Sequence, residues 1–150
     1  TDSVVSTIQT EGIILEKLSY QFANWNRGQA ENKMTQLINR YGTDIELVIS
    51  NNDEMALGAA AAYDALGYPQ ESRPVILGID GLDSALEAVK KGYIQGTVYN
   101  DKEGQASRIS GLALDLFRGK ILPNSDFENG RYIFLPYHKV TADNVDEFLK

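Results

Sequence analysis

Four side chains of this 150-residue chain stand at comparable places: Trp25 in FANWNRGQ, Asn52 in ISNNDEM, Asp80 in LGIDGLD and Asn100 in TVYND. An indole offers an apolar face, an amide both donates and accepts, and an ionised carboxylate accepts two hydrogen bonds. As a set they suit a ligand with an apolar C–H face and a ring of hydroxyls, which describes a pyranose sugar. Bonds to an ionised carboxylate contribute on the order of 1.5–3 kcal/mol each, so Asp80 would supply the largest polar share. Each residue also has a plainer role open to it. Trp25 could pack half-buried, Asn51 and Asn52 could build a turn with Asp53 as helix N-cap, Asp80 could cap the helix after it, and Asn100-Asp101 could be a turn. Asp83 and Ser84 lie nearer the start of that next helix than Asp80 does. The joint functional reading rests on all four following successive predicted strands.

Those strands belong to an alternation of short apolar runs and amphipathic stretches. Val4, Val5 and Ile8 are spaced as on a helix that stops at Gly12, so the chain opens as if inside an element of a larger protein. Leu18, Tyr20 and Phe22 alternate with polar residues and predict a strand before Trp25; Ala30, Met34, Leu37 and Ile38 mark one face of a helix from Arg27 to Arg40. Ile45–Ile49 predicts a strand, then an alanine-rich helix ending near Gly67. Pro74–Ile79 predicts another, then a helix from Ser84 to Lys91 capped by Gly92, and Ile94–Tyr99 a fourth. Such alternation calls for a parallel sheet with right-handed crossovers, and ligands of open parallel sheets bind where strands end. Beyond it, a helix is predicted from Gln105 to Arg118, a strand from Arg131 to Leu135, and a last helix from Ala142 to Lys150 with Thr141 as its cap.

Composition removes several alternatives. A net charge of −7 repels phosphate backbones and anionic lipid, so no nucleic-acid partner is expected. Without cysteine there is no disulfide, thiolate metal site or cysteine nucleophile. No GxGxxG, Walker or GxSxG pattern occurs, and the single histidine, His138, has no evident carboxylate or nucleophile partner in sequence. It reads as a solvent-facing or hydrogen-bonded residue. No group of His, Asp and Glu has zinc spacing and no complete EF-hand loop is present. The chain is expected not to be an enzyme. The opening residues TDSVVSTIQTEG show neither the basic n-region nor the apolar stretch of a signal peptide, so any address tag is expected to have been removed, and no apolar run reaches membrane length.

Three blocks then carry a resemblance: IELVISNNDEMALGAA (Ile45–Ala60), PVILGIDGLDSALEAVKKGYIQGTVYND (Pro74–Asp101) and FLPYHKVTADNVDEF (Phe134–Phe148). With Trp25 in its context they resemble the type I periplasmic sugar-binding proteins, and within them the galactose/glucose-binding kind. NDEMALGA and GxDG are shared with sugar-responsive repressors of the same fold. The tryptophan, NND in place of QND, and the asparagine of GTVYND narrow the likeness.

The resemblance implies the α/β fold of that family's C-terminal lobe, a parallel three-layer αβα sheet, incomplete here and with a segment crossing to the other lobe. Residues 1–100 would form part of the C-terminal sugar-binding lobe, 101–135 would belong with the N-terminal lobe, and 136–150 would return. It implies sugar contacts from Trp25, Asn52, Asp80 and Asn100, and it matches Glu46 to one distant calcium ligand whose binding loop this sequence lacks. Calcium is thus expected in the full-length protein and not held tightly by this fragment, since one carboxylate cannot fill six to eight oxygen positions. The implied function is the solute-binding component of a sugar ABC importer, taking a hexose such as galactose or glucose and delivering it to membrane permease subunits. The expected location is periplasmic or extracellular, as a cell-surface lipoprotein in a Gram-positive source. The fragment alone is expected to bind sugar weakly, and self-association through the apolar face of the Gln105 helix is one possible outcome. The effector domain of a LacI-type transcription repressor remains the alternative.

Overall fold

The computed structural model describes residues 2–120, 123 and 127–149. Helix α1 (Asp2–Thr10) ends where Gly12 turns to a φ of 81°. Helix α2 (Arg27–Tyr41), β1 (Leu47–Ile49), α3 (Asp53–Ala65), β2 (Val75–Leu77), α4 (Asp83–Lys90), β3 (Thr97–Asn100), α5 (Lys102–Phe117) and β4 (Tyr137–Val140) follow in order. Four expectations change. Residues 13–23 form no strand. Alternation supplies a face, but a strand also needs a neighbour's backbone groups. Leu18 packs on the core and its carbonyl accepts from the Tyr41 hydroxyl (3.0 Å), while Tyr20 and Phe22 stay exposed, their rings edge-on at 5.1 Å.

The other three changes lie late in the chain. Helix α5 begins three residues before Gln105, because the Asp101 carboxylate accepts from the Gly104 N–H (2.9 Å) and caps it. Arg131–Leu135 is not a strand; a single antiparallel bridge joins Glu128 to Tyr132, and the strand is the more polar β4 beyond it. The last predicted helix is only a 3-10 turn at Val145–Glu147. There the Asn144 side chain accepts from the Thr141 N–H and donates to the Lys139 carbonyl, both at 2.9 Å, and this closes the chain into a tight turn. Lys150, the end of that predicted helix, lies outside the described residues.

The chain divides into two compact units, one reaching Tyr99 and resuming at Lys139, the other Asn100–His138. In the first, β1 and β2 are parallel with Leu47, Val48 and Ile49 opposite Val75, Ile76 and Leu77. The next strand lies beside β2 through parallel bridges at Leu77–Gly96 and Asp80–Tyr99, and β3 pairs with β4. Apolar faces of α2, α3 and α4 close on this sheet: Met34, Ile38, Leu57, Tyr63, Ile76, Leu86, Val89 and Ile94 are all buried. In the second unit α5 buries no residue, with Ile109 67% and Phe117 90% exposed.

One core group lacks a partner. The Tyr63 hydroxyl is buried with no hydrogen bond among the described residues, its ring edge-on to Tyr68 at 5.4 Å. Burial, with Tyr68 second, pushes its pKa up to about 12. The neutral phenol is the form the fold accepts, so stability that is intact below about pH 10 should fall as pH rises toward 12. Tyr63→Phe removes the unpaired hydroxyl without changing the ring. It should leave stability unchanged or raise it by about 0.5–1 kcal/mol and abolish the alkaline loss, as read by urea unfolding at pH 7 and above pH 10.

Candidate functional site

The pairing of Ile49 with Leu77 is the last of the β1–β2 register, and beyond it the chain turns out of both strands. Backbone bonds tie the following residues to neighbouring strands: the Ser50 N–H donates to the Leu77 carbonyl and the Asp80 N–H to the Val98 carbonyl, both at 2.9 Å. Asn52 and Asp80 each follow a strand of this parallel pair, and Asp80 lies near Asp53, the residue after Asn52.

Asn52, only 7% exposed, takes the N-cap position of α3, and its carbonyl oxygen accepts from the Met55 N–H at 3.0 Å. The cap is Asn52 and not Asp53, because Asp53 turns inward. Capping uses one acceptor of the Asn52 side-chain amide and does not engage its NH2 group. Asp80 is partly buried, with φ at 124°, in a left-handed region that non-glycine residues rarely occupy. It does not cap α4, whose N-cap is Leu82 without a side-chain bond. Burial raises its carboxyl pKa above the ordinary value of 3.8. Among the described residues no hydrogen bond is donated to the Asp80 carboxylate.

Trp25 is 66% exposed and follows Asn24, both with positive φ (58° and 50°), in the turn that enters α2. The Asn26 side chain caps that helix by accepting from the Gln29 N–H, and Asn24 donates to the Gln29 side-chain oxygen, both at 2.9 Å. No hydrogen bond or ring contact joins Trp25 to Asn52 or Asp80. Its position is set by packing of α2 on α3 at Gly58, where a Cβ would collide with the Arg27 carbonyl oxygen and come within 2.9 Å of the Ala30 Cβ. Gly58→Ala must push the start of α2 outward, and Trp25 with it. A stability loss of about 1–3 kcal/mol is expected, measured by urea unfolding.

Asn100 opens the second unit, where its side-chain oxygen accepts from the Gln105 amide. Glu46 has an exposed side chain, and its carbonyl accepts from the Val75 N–H at 3.0 Å. Among the described residues no three His, Cys, Asp or Glu side chains are grouped to hold a metal ion. His138 is an exposed residue of β4.

The site holds two residues that sequence reasoning missed. Asp53 is completely buried; one carboxylate oxygen accepts from the Leu82 N–H (2.8 Å) and the other from the Thr97 hydroxyl (2.6 Å), with the Gly81 backbone also bonding to it. Gly78 leaves the room: a Cβ there would collide with the same carboxylate. Burial raises the Asp53 pKa, opposed by bonds from Thr97, Leu82 and Gly81 and increased slightly by the nearby Asp80. Local sequence gives no sign of this, since the partners lie 29 and 44 residues away.

A family profile of the periplasmic binding protein domain matches residues 1–121. The chain belongs to the periplasmic binding protein family. It is 35% identical over 153 aligned positions to the D-galactose/methyl-galactoside binding periplasmic protein of Haemophilus influenzae, covering 100% of this chain and 45% of that protein. It is 38% identical over 145 positions to a putative rhizopine-binding protein of Rhizobium meliloti, covering 97% and 43%. Among solved structures, an ABC transporter solute binding protein from Bacillus halodurans with bound myo-inositol superposes with a TM-score of 0.82 at 32% identity, covering 98% of this chain and 47% of that one. The α/β fold with a parallel sheet is thus the family's, and the chain spans less than half the length of these relatives.

Proposed function

We propose that the whole protein is the solute-binding component of a sugar ABC importer, which captures a hexose such as galactose or glucose and hands it unchanged to membrane permease subunits. The observation that carries this is the Asp80 carboxylate: partly buried, raised in pKa and accepting no bond from the described residues, it follows β2 as Asn52 follows β1. A carboxylate in that state is completed by two hydroxyl donors, which adjacent sugar hydroxyls supply. Trp25 gives the exposed indole for the C–H face, and Asn100 is a further polar contact. Family membership and relatives whose names specify galactosides, rhizopine and inositol support a polyhydroxylated ligand.

In this reading residues 1–100 and 136–150 belong to the C-terminal lobe and 101–135 to the other, and the compact units divide close to those bounds. The protein works without catalysis, outside the cytoplasmic membrane; no described helix is long and apolar enough to cross a membrane. A calcium ion in the whole protein would need ligands beyond Glu46, and the fragment alone would self-associate through the exposed side of α5. Calorimetric titration of the whole protein with D-galactose, D-glucose and myo-inositol tests the reading. At least one should bind with a 1:1 ratio, and failure of all three would remove it.

A further inference from the structure

Asp80 holds a φ of 124°, a conformation that persists only where its surroundings over-determine it. One side of the turn is tied to the sheet by the Asp80 N–H donating to Val98 (2.9 Å) and by the bridge to Tyr99. The other side, at Gly81 and Leu82, is tied to Asp53. That carboxylate belongs to the residue directly after Asn52, and its second oxygen holds Thr97 of β3. One buried group therefore bonds the segments that follow β1 and β2 and the start of β3.

Capping α4 does not by itself require this. A Ser, Thr or Asp at position 82 would cap the helix locally and exposed, whereas here Leu82 stands at the N-cap and the acceptor comes from a carboxylate buried at the start of another helix. Burying a charge is costly, and replacing a buried ionic group by apolar packing is often neutral or better for stability alone. The arrangement makes sense where the turn's geometry matters in itself.

We propose that Asp53 is a positioning residue for sugar recognition: bonded to Leu82 and Thr97, its carboxylate fixes the turn that presents Asp80 to the ligand. This rests on Asp80 being a sugar acceptor. The whole protein and its Asp53→Asn, Thr97→Val and Thr97→Ser variants are titrated with D-galactose, D-glucose and myo-inositol, with and without Asp80→Asn, at sugar concentrations up to millimolar. Amide hydrogen exchange at residues 80–82 is followed alongside.

Asp53→Asn and Thr97→Val should weaken the best-bound sugar by roughly tenfold or more, and Thr97→Ser should restore affinity to within about threefold. With Asp80→Asn in place, the same changes should cost less than about threefold, because they act through the missing carboxylate. The Leu82 amide should exchange faster in Asp53→Asn while the amides of α2 stay protected. Wild-type affinity in a folded Asp53→Asn, or equal losses with and without the Asp80 carboxylate, would overturn the proposal. Should Asp53→Asn not fold, Thr97→Val decides by the same criteria. A wild-type protein that binds none of the three sugars removes Asp80 as acceptor and this role with it, an outcome distinct from unchanged affinity in the variants.

Discussion

Asp53→Ala should destabilise the first unit by about 2–5 kcal/mol, the loss expected when two buried donors are left without their acceptor. Two effects compete. Deleting the carboxylate relieves its desolvation, the leading reason its pKa is raised. It also strips an acceptor from the Leu82 N–H and the Thr97 hydroxyl, with Thr97 only 3% exposed, and leaves a void against Gly78. Each orphaned buried donor costs about 1–3 kcal/mol and the void adds to it, so the losses prevail. Asp53→Asn keeps the volume and one acceptor, and should cost clearly less.

The pH dependence of Asp53 distinguishes it from a carboxylate held by an ion pair. Its folded pKa lies above the unfolded value of 3.8, so the folded state binds the proton more tightly. Its contribution to stability is therefore most favourable below 3.8 and declines as pH rises through the raised folded value, the reverse of an ion-paired Asp. The stability difference between wild type and Asp53→Asn should shift toward wild type as pH falls from neutral toward 3.8. Urea midpoints for both proteins across that range measure it, and a constant difference would contradict the assignment.

Asp80→Gly should separate stability from binding. At φ 124° glycine is free of the steric penalty that any side chain bears, so the variant should be more stable than wild type by about 1 kcal/mol. Sugar affinity should nevertheless fall by roughly 100-fold or more, since two charge-assisted bonds of about 1.5–3 kcal/mol each disappear. Asp80→Ala should lose binding equally without the gain in stability. Thermal unfolding and calorimetry on the same samples give both readouts. A glycine variant that binds normally would show that the strained aspartate serves no ligand.

Much of the first unit was legible because its signals are local. The spacing of Ala30, Met34 and Ile38 predicts the face that α2 buries, and the apolar runs before Ser50 and Gly78 predict β1 and β2 in the right order. Parallel pairing of the two strands then follows, and with it the positions of Asn52 and Asp80 after them. Errors arose where a partner decides the outcome. Leu18–Phe22 alternates as a strand should, yet its carbonyl at Leu18 finds a tyrosine hydroxyl. The apolar Arg131–Leu135 looked a better strand than Tyr137–Val140, but it is the latter that pairs with β3. Asp53 was hidden behind its own neighbour: NND announces a helix start, and only the fold reveals which of its residues faces inward.

The Asp53 node also constrains the order in which this unit can form. Its donors are Leu82 and Thr97, so the Asp53 carboxylate is not fully bonded until the segment carrying Thr97 has arrived. Contacts of that span close late, because the loop entropy must be spent before the bonds form. During synthesis the early βα units would wait, collapsed but with Asp53 still hydrated, until β3 emerges. A chain interrupted before Thr97 would lack one of the donors that offset burial of this carboxylate, so the arrival of β3 completes the bonding that lets Asp53 leave water.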